Sequence, residues 1–236
     1  MKACFFLFFV WVGAAVRADG ALPEPPDAAA LPLLQAAWTA RDFGPDGKLD
    51  EAEWTRAKAV IVERESSTGT PHPELATKVR ALWSAEYLYL GYECPFTKLA
   101  VFDPPQPKGD RIGMWDRDVV EAFISPGPEW KQYGEFEWAP NGDHLDLAAN
   151  LPKKDFGWNS GMESAVSVDE AAHVWRVEVR IPMKALAPDA PPAAGTRWRI
   201  NLFRHDTASG AGLAFSPTLT GTFHTPERFG WLEFGR

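Results

Sequence analysis

From Thr77 onward, apolar and polar side chains alternate in short runs broken by turn residues, the period-two pattern of strands half-buried in a sheet. Thr77–Ser84 and Tyr87–Cys94 form a predicted hairpin about Ser84-Ala85-Glu86. Further strands are predicted over Asp118–Ile124, Tyr133–Trp138, His144–Ala148, Met162–Val168, His173–Ile181, Arg197–Arg204 and Phe229–Phe234. In one of them Val174, Arg176, Glu178 and Arg180 oppose Trp175, Val177, Val179 and Ile181, which reads as one solvated and one buried face. Pro182–Leu186 permits one helical turn, and Asp46–Trp54 reads as a turn, a short strand and another helical turn. No 3.6-residue period persists beyond a few turns, and no strand–helix–strand repeat occurs. The expectation is an all-β domain, an antiparallel β-sandwich with one or two short helical turns.

The first 36 residues have a different character. Lys2 precedes the apolar run Ala3–Trp11, and Ala14-Ala15-Val16-Arg17-Ala18 supplies small residues, so residues 1–18 read as a signal peptide cleaved after Ala18. The run is too short to span a bilayer and no second one follows, so a secreted or periplasmic protein without membrane insertion is expected. Residues 19–36 contain Pro23, Pro25, Pro26 and Pro32 and read as an Ala/Pro-rich flexible leader. Residues 37–236 then form a single domain.

Composition narrows the function. Without residues 1–18 the chain carries 22 basic and 32 acidic residues, a balance of −10 that argues against nucleic acid and anionic membranes as partners. Cys4 leaves with the signal, so Cys94 has no internal partner and reads as a buried strand residue. Ten of the eleven Trp remain, a large supply of flat apolar surface.

Acids and aromatics share the strands around Trp115–Ile124 and Tyr133–Gly142. Val119, Glu121 and Phe123 lie on one face; Glu135 and Glu137 share a face with Phe136 and Trp138 opposite, so one side reads as packed and the other as wet. A mid-strand acid needs partners if its face is covered, and Glu121 is read equally as a solvated or arginine-paired residue and as a ligand group. Trp115 follows the long loop Pro95–Met114 and precedes a strand, a place where an aromatic ring stays exposed for a sugar face. Trp158, in the loop Phe156–Gly161, is a further candidate. Asp42, Asp46 and Asp50 are spaced unlike an EF-hand loop. His205, Asp206 and His224 lack metal-motif spacing.

Asp46-Gly47-Lys48-Leu49-Asp50-Glu51 with Trp54, Val79–Trp83 with Tyr87–Leu90, Trp115–Phe123, Tyr133–Gly142 and Phe223–Gly230 together resemble carbohydrate-binding module family 9, in order across residues 43–236. The resemblance implies a jelly-roll-type β-sandwich related to the DOMON fold, non-catalytic, with structural calcium, often joined to xylanases or other glycan-active enzymes. It implies that a chain end of an oligosaccharide or polysaccharide is held between two aromatic rings. Trp115 matches one ring, Phe223 falls where the second tryptophan would sit, and Glu121 matches a sugar-bonding acid. Glu137 occupies the place of an arginine donor, so a donor is replaced by an acceptor.

The expected function is therefore an exported carbohydrate-binding domain contributing to carbohydrate catabolism. Trp115 and Phe223 would stack the sugar while Glu121, Glu137 and Asn141 accept from its hydroxyls. Two alternatives stand beside it. A glycoside hydrolase would use two of Glu121, Glu135, Glu137 and Asp118 with carboxyl groups about 5–5.5 or 6.5–9.5 Å apart. A DOMON-type haem protein would use Met and His axial ligands, with Met114, Met162 and Met183 remaining after cleavage and no CxxCH attachment site.

Overall fold

The computed structural model describes residues 27, 30–106 and 108–236; the signal-peptide segment, residues 1–18, lies outside them. The strands, in chain order, are β1 (Leu33–Trp38), β2 (Val60–Val62), β3 (Arg64–Glu65), β4 (Thr77–Trp83), β5 (Tyr87–Pro95), β6 (Val119–Ser125) and β7 (Tyr133–Trp138). They continue with β8 (His144–Asn150), β9 (Lys153–Asp155), β10 (Glu163–Asp169), β11 (Val174–Pro182), β12 (Arg197–Asp206), β13 (Ala211–Ala214) and β14 (Gly230–Phe234). One helical turn, α1, spans Met183–Leu186. The predicted strands all appear, within about two residues at their ends. No strand forms in Asp46–Trp54, where a 3-10 turn occupies Ala52–Arg56.

The strands join in the order β10-β11-β5-β4-β1-β14-β12-β6-β7-β8-β9, with β2 on β4 and β13 bridging β12 to β3. This long sheet curls until its halves face each other. Tyr92 on β5 and Trp138 on β7, far apart in the pairing order, have ring centroids 6.0 Å apart, and the Tyr92 hydroxyl donates to the Glu121 carbonyl. Between the halves lies the main core, with Leu90, Val120, Ile124, Phe136, Trp175, Val177, Ile200 and Leu202 wholly buried.

The sheet is mixed, which corrects the purely antiparallel expectation. β1 pairs in parallel with both β14 and β4. Tight hairpins impose antiparallel pairing on their own strands, whereas β1 reaches its two neighbours through long stretches of chain and is free of that constraint. β1 also begins at Leu33, inside the segment read as a flexible leader to residue 36. Its alternation is short, with Leu34 and Ala36 buried and Leu33 exposed, and the Pro-rich flank obscures it.

Both outer faces of the sandwich are partly covered. On one half Phe43, Trp54 and Ala57 pack over Leu82 and Tyr89. Gly91 has no Cβ to collide with Leu49 and Trp54, so those side chains lie directly on β5. Glu178, read as facing solvent, is consequently wholly buried, and its carboxylate accepts from the backbone N–H groups of Asp46 and Gly47 and from Trp54 Nε1. Cys94 is buried, and desolvation pushes its thiol up to about 12. Covering the opposite outer face creates the cavity described next.

Candidate functional site

Register brings the acids of β6 and β7 together. Glu121 lies directly opposite Glu137, Phe123 opposite Glu135, and Phe203 of β12 opposite Glu121. This face is not wet. Met114, Phe123, Tyr133, Phe203 and Phe229 form a second core on it, with Phe223 packed against them. Glu121, Glu135 and Glu137 are 3%, 2% and 0% exposed. Alternation along a strand reports which side chains share a face and carries no information about a loop closing over that face from ninety residues away.

The carboxylates line a cavity of about 580 Å³. Trp115, Phe123, Lys154, Gly212, Phe223 and His224 complete much of its wall, with Glu65, Ser66 and Ser67 next to β13. Gly113, at φ +87°, turns the chain into a 3-10 turn over Met114–Asp116, where Met114 is buried in the second core while Trp115 stays 40% exposed. Phe223 stacks on Phe203 with centroids 4.2 Å apart and an interplanar angle of 9°, and a Cβ on Gly212 would approach its ring to 3.3 Å.

Trp115, Glu121, Glu137 and Phe223 are thus gathered around one cavity, whereas Asn141 and Trp158 are not among its lining residues. Asn141 donates from Nδ2 to the Phe102 carbonyl and to Asp143 Oδ2. Asp143 accepts from the Gln106 N–H and pairs with Arg111, while Asp118 accepts from the Ala100 N–H. The long loop is therefore held by Asn141, Asp143 and Asp118, and Asn141 positions the loop that ends at Trp115. Arg117 lies 4.8 Å from the Phe102 ring centroid. Trp158 packs edge-on against Phe136, 5.9 Å between centroids, and lines a separate hollow with Asp155 and Leu186.

Sequence reading missed Lys154, Tyr133 and the role of His224. The Lys154 ammonium stands 3.2 Å from Glu135 Oε2 and 2.8 Å from His224 Nε2. An ammonium only donates, so Nε2 accepts, Nδ1 carries the ring proton, and that N–H points to the Tyr133 hydroxyl 2.7 Å away. The ring also stacks on Phe123 at 5.2 Å, and burial, aided by Lys154, lowers the His224 pKa to about 4. Its position beside Phe223 was the available signal. Lys154 had none, because only the β7–β8–β9 pairing brings it back to the site.

The carboxylates are strained electrostatically. Burial, then Glu135, raises Glu137 to about 8; burial, then Glu137 and Glu135, pushes Glu121 well above its usual range; burial also raises Glu135 against the pull of Lys154. No hydrogen-bond donor reaches either Glu137 oxygen. Such a floor takes protons, donated hydroxyls or a cation.

A second acidic group lies on the other half of the sandwich. Asp46, Asp50 and Glu51 bring carboxylate oxygens within 4.8 Å of one another. Asp42, the third member of the spaced aspartates, instead accepts from the Tyr89 hydroxyl. Glu51 Oε2 is buried without a hydrogen-bond partner, and burial raises Glu51 to about 6. Oxygen-only ligands with an orphaned carboxylate atom fit calcium.

Comparisons with known proteins agree with this architecture. A protein of Bacteroides uniformis, assigned provisionally to carbohydrate binding, is similar at 16% identity with a TM-score of 0.71, over 87% of this chain and 100% of that one. A family 9 carbohydrate binding module from Caldicellulosiruptor kristjanssonii, solved with cellotriose, is similar at 16% identity with a TM-score of 0.60, over 87% and 95% of the two chains. The same organism's module solved with glucose aligns at 15% identity with a TM-score of 0.61, over 87% and 97%. None of the curated proteins matches the chain. Residues 46–235 match the family described as carbohydrate family 9 binding domain-like, and the chain belongs to that family.

Proposed function

We propose that this domain binds a carbohydrate in the cavity between Trp115 and Phe223, over the carboxylates of Glu121 and Glu137. One observation carries the reading: an exposed tryptophan and a half-exposed phenylalanine share a cavity wall with the buried Glu137 carboxyl group, neither of whose oxygens has a donor. Sugar rings present apolar C–H faces to aromatics and hydroxyl donors to carboxylates. Family membership and the cellotriose and glucose complexes of similar modules support it. The reading of residues 1–18 as a signal peptide supports export to the periplasm or medium, where a glycan-degrading enzyme would be the natural partner in carbohydrate catabolism. No helix among the described residues is long and apolar enough to cross a membrane.

Isothermal titration against xylo-, cello- and galacto-oligosaccharides tests the proposal. Saturable binding is expected, weakened about tenfold or more by Trp115→Ala, a change worth about 1.4 kcal/mol. No heat with any glycan from a folded protein would overturn it. Product formation abolished by Glu121→Gln would assign hydrolysis instead.

We further propose that Asp46, Asp50 and Glu51 hold a structural calcium ion. Calcium bound to the folded state alone stabilises it in proportion to the logarithm of its concentration. Added calcium is therefore expected to raise the melting temperature by several degrees, an effect that Glu51→Gln removes. Calorimetry showing no calcium response would sink the assignment.

A further inference from the structure

Acidic side chains outnumber cations on the cavity floor; in the empty site burial keeps Glu137 protonated at pH 7, and a docking ammonium displaces that proton. Lys154 answers Glu135, whereas Glu137 is wholly buried with both oxygens lacking a donor, and Glu121 faces it across the β6–β7 pair. A neutral sugar would bring hydroxyl donors but no charge. Resting on the carbohydrate reading of this same cavity, we infer that its preferred ligand is an amino sugar with a free ammonium, a glucosamine-type residue. Its nitrogen docks among Glu121, Glu135 and Glu137 while its ring lies against the aromatic wall.

The geometry suits that group. Three carboxylate oxygens, one from each residue, lie within 4.8 Å of one another. A tetrahedral ammonium donating three bonds of about 2.8–2.9 Å spreads its acceptors to about 4.6–4.7 Å. The fourth substituent, the sugar carbon, then points out toward the cavity. Other groups facing the floor keep this preference. Glu65 at the β3 wall and Asp116 beside Trp115 add negative charge, His205 and His224 line the cavity, and His224 is held neutral by burial. Lys154 is the resident cation, and it repels a divalent metal twice as strongly as a monovalent ammonium at the same point. The seat it already occupies beside Glu135 is itself an ammonium site.

Titration calorimetry at pH 7 in EDTA, comparing a glucosamine trimer, its fully N-acetylated counterpart and cellotriose, tests the inference. The glucosamine trimer is expected to bind at least tenfold tighter than cellotriose, and acetylation, which removes the charge, should abolish that gain. Glu137→Gln should abolish the preference for the free-amine trimer over its acetylated counterpart too. If that variant misfolds by circular dichroism, the free-amine and acetylated trimers on the native protein decide the matter alone. Cellotriose binding as tightly as the glucosamine trimer would overturn the inference and leave the carbohydrate reading standing; no binding of any trimer would overturn both. Binding that appears only when calcium replaces EDTA and is lost in Glu137→Gln would make the floor a metal site and also overturn it.

Discussion

Replacing Arg204 with alanine is expected to destabilise the domain by about 3–5 kcal/mol, the usual cost of stripping one partner from a buried ion pair. Arg204 and Asp206 have side chains 0% and 1% exposed and meet at 2.9 Å. The same guanidinium donates to the Leu75 carbonyl, Thr77 Oγ1 and the Pro95 carbonyl, so it ties β12 to the ends of β4 and β5 across the sandwich. Alanine leaves a buried carboxylate without its cation, takes one donor from each of three further acceptors, and opens a cavity. Urea unfolding checks this: with a slope of about 2–3 kcal/mol/M, the midpoint should fall by roughly 1–2.5 M. Arg204→Met combined with Asp206→Asn, which removes both charges, should cost clearly less. Equal losses in the two proteins would show that packing, not the orphaned charge, sets the cost.

The second large effect is pH-dependent and falls on Glu137. Its folded pKa, about 8, lies above the ordinary glutamate value of 4.5, with burial the main cause and Glu135 next. Below pH 4.5 both folded and unfolded states hold the proton and the residue contributes nothing to the slope. Between 4.5 and 8 the unfolded state ionises while the folded state stays protonated, so stability falls as pH rises, by about 1.4 kcal/mol per unit. Above 8 the loss is complete. Glu137→Gln cannot ionise, so the stability of the variant relative to the native protein should grow by about 3–5 kcal/mol from pH 4.5 to 8. Glu121 and Glu135 are raised for the same main reason and add slope of the same sign, whereas His224, lowered to about 4, destabilises in the opposite direction as pH falls below 6.5. Denaturation curves at several pH values check this. Parallel pH profiles for the native protein and the variant would contradict a protonated Glu137.

The strands were legible because their signal is local. Residues 174–181 alternate whatever lies above them, and the β4–β5 hairpin is specified by its own turn at Ser84. The short strands were not. β3 and β9 are two and three residues long, too brief for alternation, and exist because longer neighbours offer them an open edge.

At the site, the chain's local pattern marked which residues could serve: Trp115 beyond a long loop, Glu121 and Glu137 on strands, Phe223 in the last loop. It also determined the all-β class and the excess of negative charge. Tertiary structure decided how those residues are used. It buried the acids that alternation had left wet, because the Phe223–Phe229 segment packs onto Phe123 and Phe203. It assigned Asn141 to bracing a loop and Trp158 to packing against Phe136. It brought in Lys154 and His224, whose roles depend on strand pairing and ring stacking. The division has one physical reason: periodicity and turn chemistry act between near neighbours in the chain, whereas burial, ionisation and hydrogen-bond partnership depend on what distant segments place within a few ångströms.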